Sequence, residues 1–187
     1  MLIDKLRERT KHTHEALEQS MFPFIKNAKD TSSYAQLLRL FYGYYKPLQD
    51  NIDAVIDVAT FPEYGKLRRA EWILEDLAAL NVPQDDIPIF EFDFLINTHT
   101  DAIGALYVTE GSTLGGKIIC KTIAANLGKT DEQGLKFFNG YGNETGSRWK
   151  SFMSVLNSYS GSPNENAIIE SANEVFVGFQ NWIQMCA

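Results

Sequence analysis

Apolar side chains recur three and four residues apart along nearly all of this sequence, and that spacing limits its fold more than any other feature. A half-buried strand needs strict alternation, whereas a helix buries a stripe about every 3.6 residues. Alternating runs of Val, Ile and Thr are lacking, and no Asn-Gly or Asp-Gly turn joins two such runs. The pattern predicts a first helix over about 3–19 that buries Ile3, Leu6, Thr10 and Leu17. A loop over 21–30 should hold Pro23 and end in the capping cluster Asp30-Thr31-Ser32-Ser33. A second helical region runs to about Val58, with Tyr34, Leu37, Leu38, Phe41, Tyr45 and Leu48 on its apolar face and Pro47 expected to kink or divide it. Helical spacing returns over 63–80, and 81–88, with two prolines, reads as a loop. A long helical pattern over about 94–127 stops at Gly128. Glycine-rich chain carrying Phe137 and Phe138 leads to a helix over 145–159 with Trp149, Phe152 and Leu156. The last helix, opened by Ser162-Pro163, should bury Ile168, Ala172, Val175, Phe176, Phe179 and Trp182. With no internal repeat and no linker, the expectation is one all-α domain over residues 1–187.

Composition narrows the partners. The 187 residues carry 17 Lys and Arg against 24 Asp and Glu, a net charge of −7. That balance argues against nucleic acid, whose binders need a basic surface. Cys120 and Cys186 form no CxxC, so two reduced thiols are expected. No apolar run approaches the roughly 18 residues that would span a membrane, and the start MLIDKLRERTKHTHE has no signal-peptide core. A cytoplasmic protein without membrane contact is expected.

Two segments stand out from the core pattern. With His14 at zero on a wheel of about 100° per residue, Ile3, Thr10, Leu17 and Leu6 fall between about −20° and −80°. Arg7, Glu18 and Lys11 fall between about +20° and +60°, while His12 points away near about 160°. His14 therefore stands at the seam of a buried and a polar stripe, with Glu18 at i+4. Either it is a boundary residue paired with Glu18, or Glu18 fixes its tautomer and leaves the other nitrogen as a ligand. The second segment, GALYVTEGSTLGGKIIC over 104–120, holds four glycines inside a helix. Each costs about 1 kcal/mol against alanine. Gly104, Val108, Gly111 and Gly115 share a face that suits either tight helix packing or a flat ligand, with Ser112, Thr113 and Gly116 adding hydroxyls and a local kink.

Other chemistries fit poorly. The chain has no pair of Glu-x-x-His motifs for a di-iron bundle. His12 and His14 face opposite ways, which disfavours zinc, and Glu110-Gly111-Ser112-Thr113-Leu114 is not a GxSxG elbow. The glycine-rich stretch follows no strand, so it is not a dinucleotide loop.

At these two segments the sequence resembles the heme oxygenase family. Leu6-Arg7-x-x-Thr10-x-x-x-His14 looks like its proximal-helix signature, whose histidine binds heme iron, and Glu18 matches that histidine's carboxylate partner. Gly111-Ser112-Thr113-Leu114-Gly115-Gly116 resembles the distal helix that lies over the heme, most like the bacterial branch associated with bacteriophytochrome chromophore synthesis. Phe137-Phe138 and the Trp149–Phe152 helix also fall where the family places them, so the resemblance spans 6 to about 156. Animal-type members carry an aspartate where this chain has Ser112, a departure shared by that bacterial branch.

The resemblance implies a heme-oxygenase-like fold with heme between a proximal helix, 3–19, and a distal helix, 99–127. It implies oxidative opening of heme to biliverdin, with release of ferrous iron and carbon monoxide. Heme is then both cofactor and substrate, and molecular oxygen is consumed. His14 would be the iron ligand, with Gly111, Ser112, Thr113 and Gly115 at the reacting face. Thr10, Glu18, Gly116 and Phe137 would contact heme, and Arg7, Lys11, Arg148 and Lys150 would meet its propionates. A ferredoxin or another reductase would supply electrons, and a bacteriophytochrome could accept the biliverdin. A non-catalytic heme carrier or sensor on the same fold, or a superfamily member that binds no heme, such as a thiaminase-like enzyme, are the alternatives.

Overall fold

Eight α-helices and two short 3-10 turns make up the helical structure of the computed structural model, which describes residues 1–59, 61–92, 94, 96–129 and 133–187. No strand occurs among the described residues. The expected first helix is two, α1 (Leu2–Arg9) and α2 (Lys11–Asn27). They part at Thr10, whose buried Oγ1 donates to the Leu6 carbonyl at 2.7 Å, a back-bond that bends helices. The Thr10 N–H still donates to Leu6 and the His14 N–H to Thr10, both at 2.9 Å. The two helices therefore continue one stripe, and Ile3, Leu6, Thr10 and Leu17 are all buried. The loop expected over 21–30 is instead the end of α2, which runs through Pro23. Proline removes one ladder hydrogen bond, but Met21, Phe24 and Ile25 gain contacts with the core that outweigh it.

Helix α3 (Thr31–Val55) opens on the expected cluster through a capping box: the Ser33 N–H donates to Asp30 Oδ1 at 2.8 Å, and the Asp30 N–H to Ser33 Oγ at 3.1 Å. Pro47 does not divide it. The helix expected over 63–80 is broken into a 3-10 turn (Pro62–Lys66) and α4 (Glu71–Ala79). The reason is visible in the backbone bonds of 67–70. The Arg68 N–H donates to the Tyr141 hydroxyl at 2.6 Å, and the Ala70 N–H to Gln49 Oε1 at 2.7 Å. Donors satisfied by distant side chains no longer need a helical ladder.

Helix α5 (His99–Asn126) starts later than the expected 94, at a capping box of Thr98 and Asp101; Leu95 lies outside the described residues. It runs unbroken past Gly116 and stops where Gly128 takes φ +62°. The glycine-rich stretch holds an unforeseen short helix, α6 (Lys136–Asn139). Buried Asp76 of α4 accepts the N–H groups of Lys136 and Phe137 at 2.7 and 2.8 Å. Helix α7 spans Thr145–Ser158, and α8 spans Glu165–Cys186. The Ser162-Pro163 start of the last helix is displaced, because the buried Ser162 Oγ meets no hydrogen-bond partner among the described residues and caps nothing.

Helix α8 is the wall on which the rest leans. Both α5 and α2 pack along it, and α3 packs on α2, α4, α5 and α8. Tyr44 of α3 stacks on Phe179 of α8 with centroids 4.4 Å apart. A Cβ added to Gly104 would come within 2.4 Å of the Ile168 carbonyl, so the missing side chain lets α5 close on α8. Among the described residues no helix is long and apolar enough to cross a membrane.

The Asp76 cap yields the first prediction. Asp76→Ala orphans two amides and should lower stability by on the order of 2–4 kcal/mol in denaturant unfolding. Burial pushes the Asp76 carboxyl up to about 6, against the pull of the two amides. The folded chain thus keeps a proton that the unfolded chain gives up near about 3.9. This group's contribution is complete below that value and is lost as pH rises through about 6. The gap between wild type and variant should therefore narrow from pH of about 4.5 to about 7.5.

Candidate functional site

A cavity of about 790 Å³ opens between α2 and α5, backed by Phe176 and Phe179 of α8, Phe41 of α3 and Phe138 of α6. Ligand cavities run roughly 300–1,000 Å³. Most of its wall is apolar, and its mouth exposes Phe22 and Ile118, 62% and 71% accessible. Polar groups gather on two opposed helices. Arg7, Thr10, Lys11, His14 and Glu18 line the α1–α2 side, and Gly111, Ser112, Gly115 and Gly116 line the α5 side.

His14 is half exposed, and its ring stands edge-on to Phe176 with centroids 5.3 Å apart. Its Nε2 lies 3.7 Å from Glu18 Oε1, an ion-pair distance rather than a hydrogen bond. The other histidines are placed differently. His12 is exposed and does not line the cavity. His99 Nδ1 accepts the Asp57 N–H at 3.1 Å. Its proton then sits on Nε2, 2.9 Å from the Tyr159 hydroxyl.

The glycine face does two jobs. Gly104 serves helix packing, as described above. A Cβ at Gly115 would meet nothing within 4 Å, and one at Gly111 would meet only the Trp149 ring, at 3.5 Å. Both face the cavity. Gly116 lies against the Phe138 carbonyl, 2.8 Å from an added Cβ, and so lets α6 close beneath the site.

Four expected residues do not line the cavity. Thr113 is buried and donates to the Glu110 carbonyl at 2.6 Å, on the far side of α5. Phe137 is buried, and its neighbour Phe138 lines the cavity instead. Arg148 is held by Glu144 at 3.3 Å and lies over the Tyr141 ring at 4.6 Å. Lys150 is exposed on α7, whose Trp149 is the residue that lines the cavity.

Four polar lining residues were missed: Glu15, which pairs with Lys11 at 3.9 Å, Tyr107, Arg68 and Tyr45. Arg68, from the segment between the 3-10 turn and α4, sends Nη2 to the Thr109 carbonyl at 2.7 Å and to Ser112 Oγ at 2.6 Å. Tyr45 of α3 brings its hydroxyl to 2.9 Å from Ser112 Oγ. Ser112 Oγ itself donates to the Thr109 carbonyl at 2.7 Å, so it accepts from both Arg68 and Tyr45. Tyr45 reads as part of an apolar stripe, and nothing local in the sequence marks Arg68. Behind this corner the Tyr141 hydroxyl donates to Glu110 Oε2 at 2.9 Å. Burial pushes the Glu110 carboxyl up, opposed by Arg68 and Tyr141.

The arrangement suits a flat apolar guest with anionic substituents. An imidazole stands on one side, bare backbone on the other, and Arg7 and Lys11 border the imidazole side.

The family model described as heme oxygenase matches residues 1–92 and 93–185. The heme oxygenase of Neisseria meningitidis, solved with NO and CO bound, is 23% identical with a TM-score of 0.77, covering 99% of this chain and 91% of that one. The heme oxygenase of Leptospira interrogans is 22% identical with a TM-score of 0.78, covering 98% of each chain. No curated protein matches the chain in sequence.

The glycines yield a prediction of opposite signs. Gly115→Ala meets no neighbour and gains helix propensity, so it should raise stability by up to about 1 kcal/mol. Gly104→Ala strikes the Ile168 backbone and should lower it by about 1–3 kcal/mol. Thermal unfolding of the two ligand-free variants checks both.

Proposed function

We propose that this chain, which belongs to the heme oxygenase family, opens heme to biliverdin with release of ferrous iron and carbon monoxide. The observation that carries this reading is the cavity itself. It sets His14 on one helix against Gly111 and Gly115 on another, and nothing fills the space beside Gly115.

Heme supplies the iron and is itself the substrate, with molecular oxygen consumed. The chain's part is placement. His14 would hold the iron by one nitrogen, and Glu18, next to the ring, would fix the tautomer. Phe176 keeps the ring edge-on and limits its rotation. Gly111 and Gly115 leave room above the macrocycle, and Gly116 and Phe138 close the cavity beneath α5. Arg7 and Lys11 would receive the propionates; Arg148 and Lys150 do not line the cavity, although Trp149 between them does. A small acidic ferredoxin or another reductase fits the exposed basic residues Arg7 and Lys11 at the cavity, with exposed Arg9 on the same stretch of chain. Membership of the bacteriophytochrome-associated branch, with a bacteriophytochrome taking up the product in the cytoplasm, completes the proposal.

Hemin titration tests the reading. Wild type should give a Soret band at one equivalent, His14→Ala should lose normal axial ligation, and His12→Ala and His99→Ala should keep the ferric spectrum. Loss of the band in His12→Ala with retention in His14→Ala would overturn the assignment. Turnover with ascorbate or reduced ferredoxin should yield biliverdin. A Soret band without turnover identifies a carrier or sensor, and no band identifies a member that binds no heme.

The propionate side gives a separate expectation. Arg7 and Lys11 are exposed, so each should contribute about 1 kcal/mol or less to affinity. Their larger effect is on rotation of the macrocycle in its plane. Arg7→Ala combined with Lys11→Ala should therefore weaken binding modestly and mix the biliverdin isomers, as read by product chromatography.

A further inference from the structure

Arg68 is the only cation among the lining residues that belongs to the α5 side of the cavity, and all its contacts are neutral. Besides the Thr109 carbonyl and Ser112 Oγ, Nη2 reaches the Tyr45 hydroxyl oxygen at 3.3 Å, and Nη1 reaches the Phe137 carbonyl at 3.4 Å. The guanidinium lies 4.2 Å over the Phe137 ring. Among the described residues no carboxylate stands within ion-pair distance of it. Buried Glu110 is engaged by Tyr141, and burial pushes its carboxyl up against the pull of Arg68. The positive charge on this wall is thus not cancelled by a contact.

The hydroxyls beside it are already oriented. Ser112 spends its only O–H on the Thr109 carbonyl, and both its lone pairs accept. Tyr45 then points its O–H at Ser112. A guest that reaches this corner as a donor finds no acceptor to spare on Ser112. The Tyr45 O–H is spent on Ser112, so a guest that accepts must draw on Arg68, and one carrying negative charge gains the attraction of the guanidinium as well.

We propose that Arg68, held in place by Tyr45 and Ser112, makes the α5 side of the cavity a subsite for small monovalent anions, and so determines which ligands that side prefers. The proposal rests on the functional reading above, because heme bound through His14 would present its open face to this wall. An opposite charge at hydrogen-bond range shifts an equilibrium by on the order of one to three powers of ten.

The probes are fluoride and azide as anions and imidazole as a neutral ligand, each titrated spectroscopically into the ferric hemin complex of the full chain. Arg68→Met should weaken fluoride and azide about tenfold or more while imidazole changes less than about threefold. Arg68→Lys keeps the charge and should recover a large part of the anion affinity. Should Arg68→Met fail to fold, Arg68→Gln, neutral but able to hydrogen-bond, carries the same comparison. Equal loss for all three ligands would mean that Arg68 only shapes the cavity, and no loss would mean that its charge does not reach it. Either result overturns the subsite while leaving heme binding intact. Failure of wild type to bind hemin overturns both the subsite and the functional reading.

Discussion

Two helices that face each other across a cavity must be kept from collapsing onto it, and in this chain α8 does that. Helices α2 and α5 each pack along α8, so the distance between them is set by a third element. The Gly104 contact with the Ile168 carbonyl presses α5 tightly to that support. A stacked and edge-on cluster of Phe41, Tyr44, Phe138 and Phe179 stiffens the floor. Interiors are close-packed and do not deform continuously. A wall built this way holds an open space without needing the guest to prop it.

The same glycine-bearing face is used twice along one helix. At its N-terminal end the missing side chain admits a neighbouring backbone; two turns later it faces the Trp149 ring, and three turns later it leaves empty space. Tight packing and a flat ligand are alternatives on the page of the sequence, but they are neighbours in the structure. Polar groups follow a similar division. His14 is positioned within its own helix by Glu18 and by one ring from α8. Ser112 is positioned by residues 44 and 67 places away in the chain.

That difference in range explains what the sequence discloses. The all-α class, the buried stripes, and the seam on which His14 and Glu18 meet are products of local periodicity, which a wheel reads directly. The break at 67–70 is not local, because its N–H groups go to Tyr141 and Gln49. Arg68 reaches the cavity only because of that break. Helix α6 likewise exists through Asp76, some 60 residues earlier. Pro23 misleads because burial of its neighbours outweighs a lost hydrogen bond. Thr113 is a different case: on the wheel it lies about 160° from Gly115, so its absence from the cavity was readable. For α7 the wheel gives only relative angles. Once Trp149 faces the cavity, Arg148 and Lys150 are turned about 100° to either side.

Phe22, Leu114 and Ile118 border the cavity and are exposed to solvent. Such a rim is the kind of surface through which proteins stick to one another. In the ligand-free chain it competes for other apolar surfaces, including a second copy of itself; a guest lying across the opening removes much of it from water. Occupancy of the cavity therefore sets how much of this apolar rim the chain presents to water and to its neighbours.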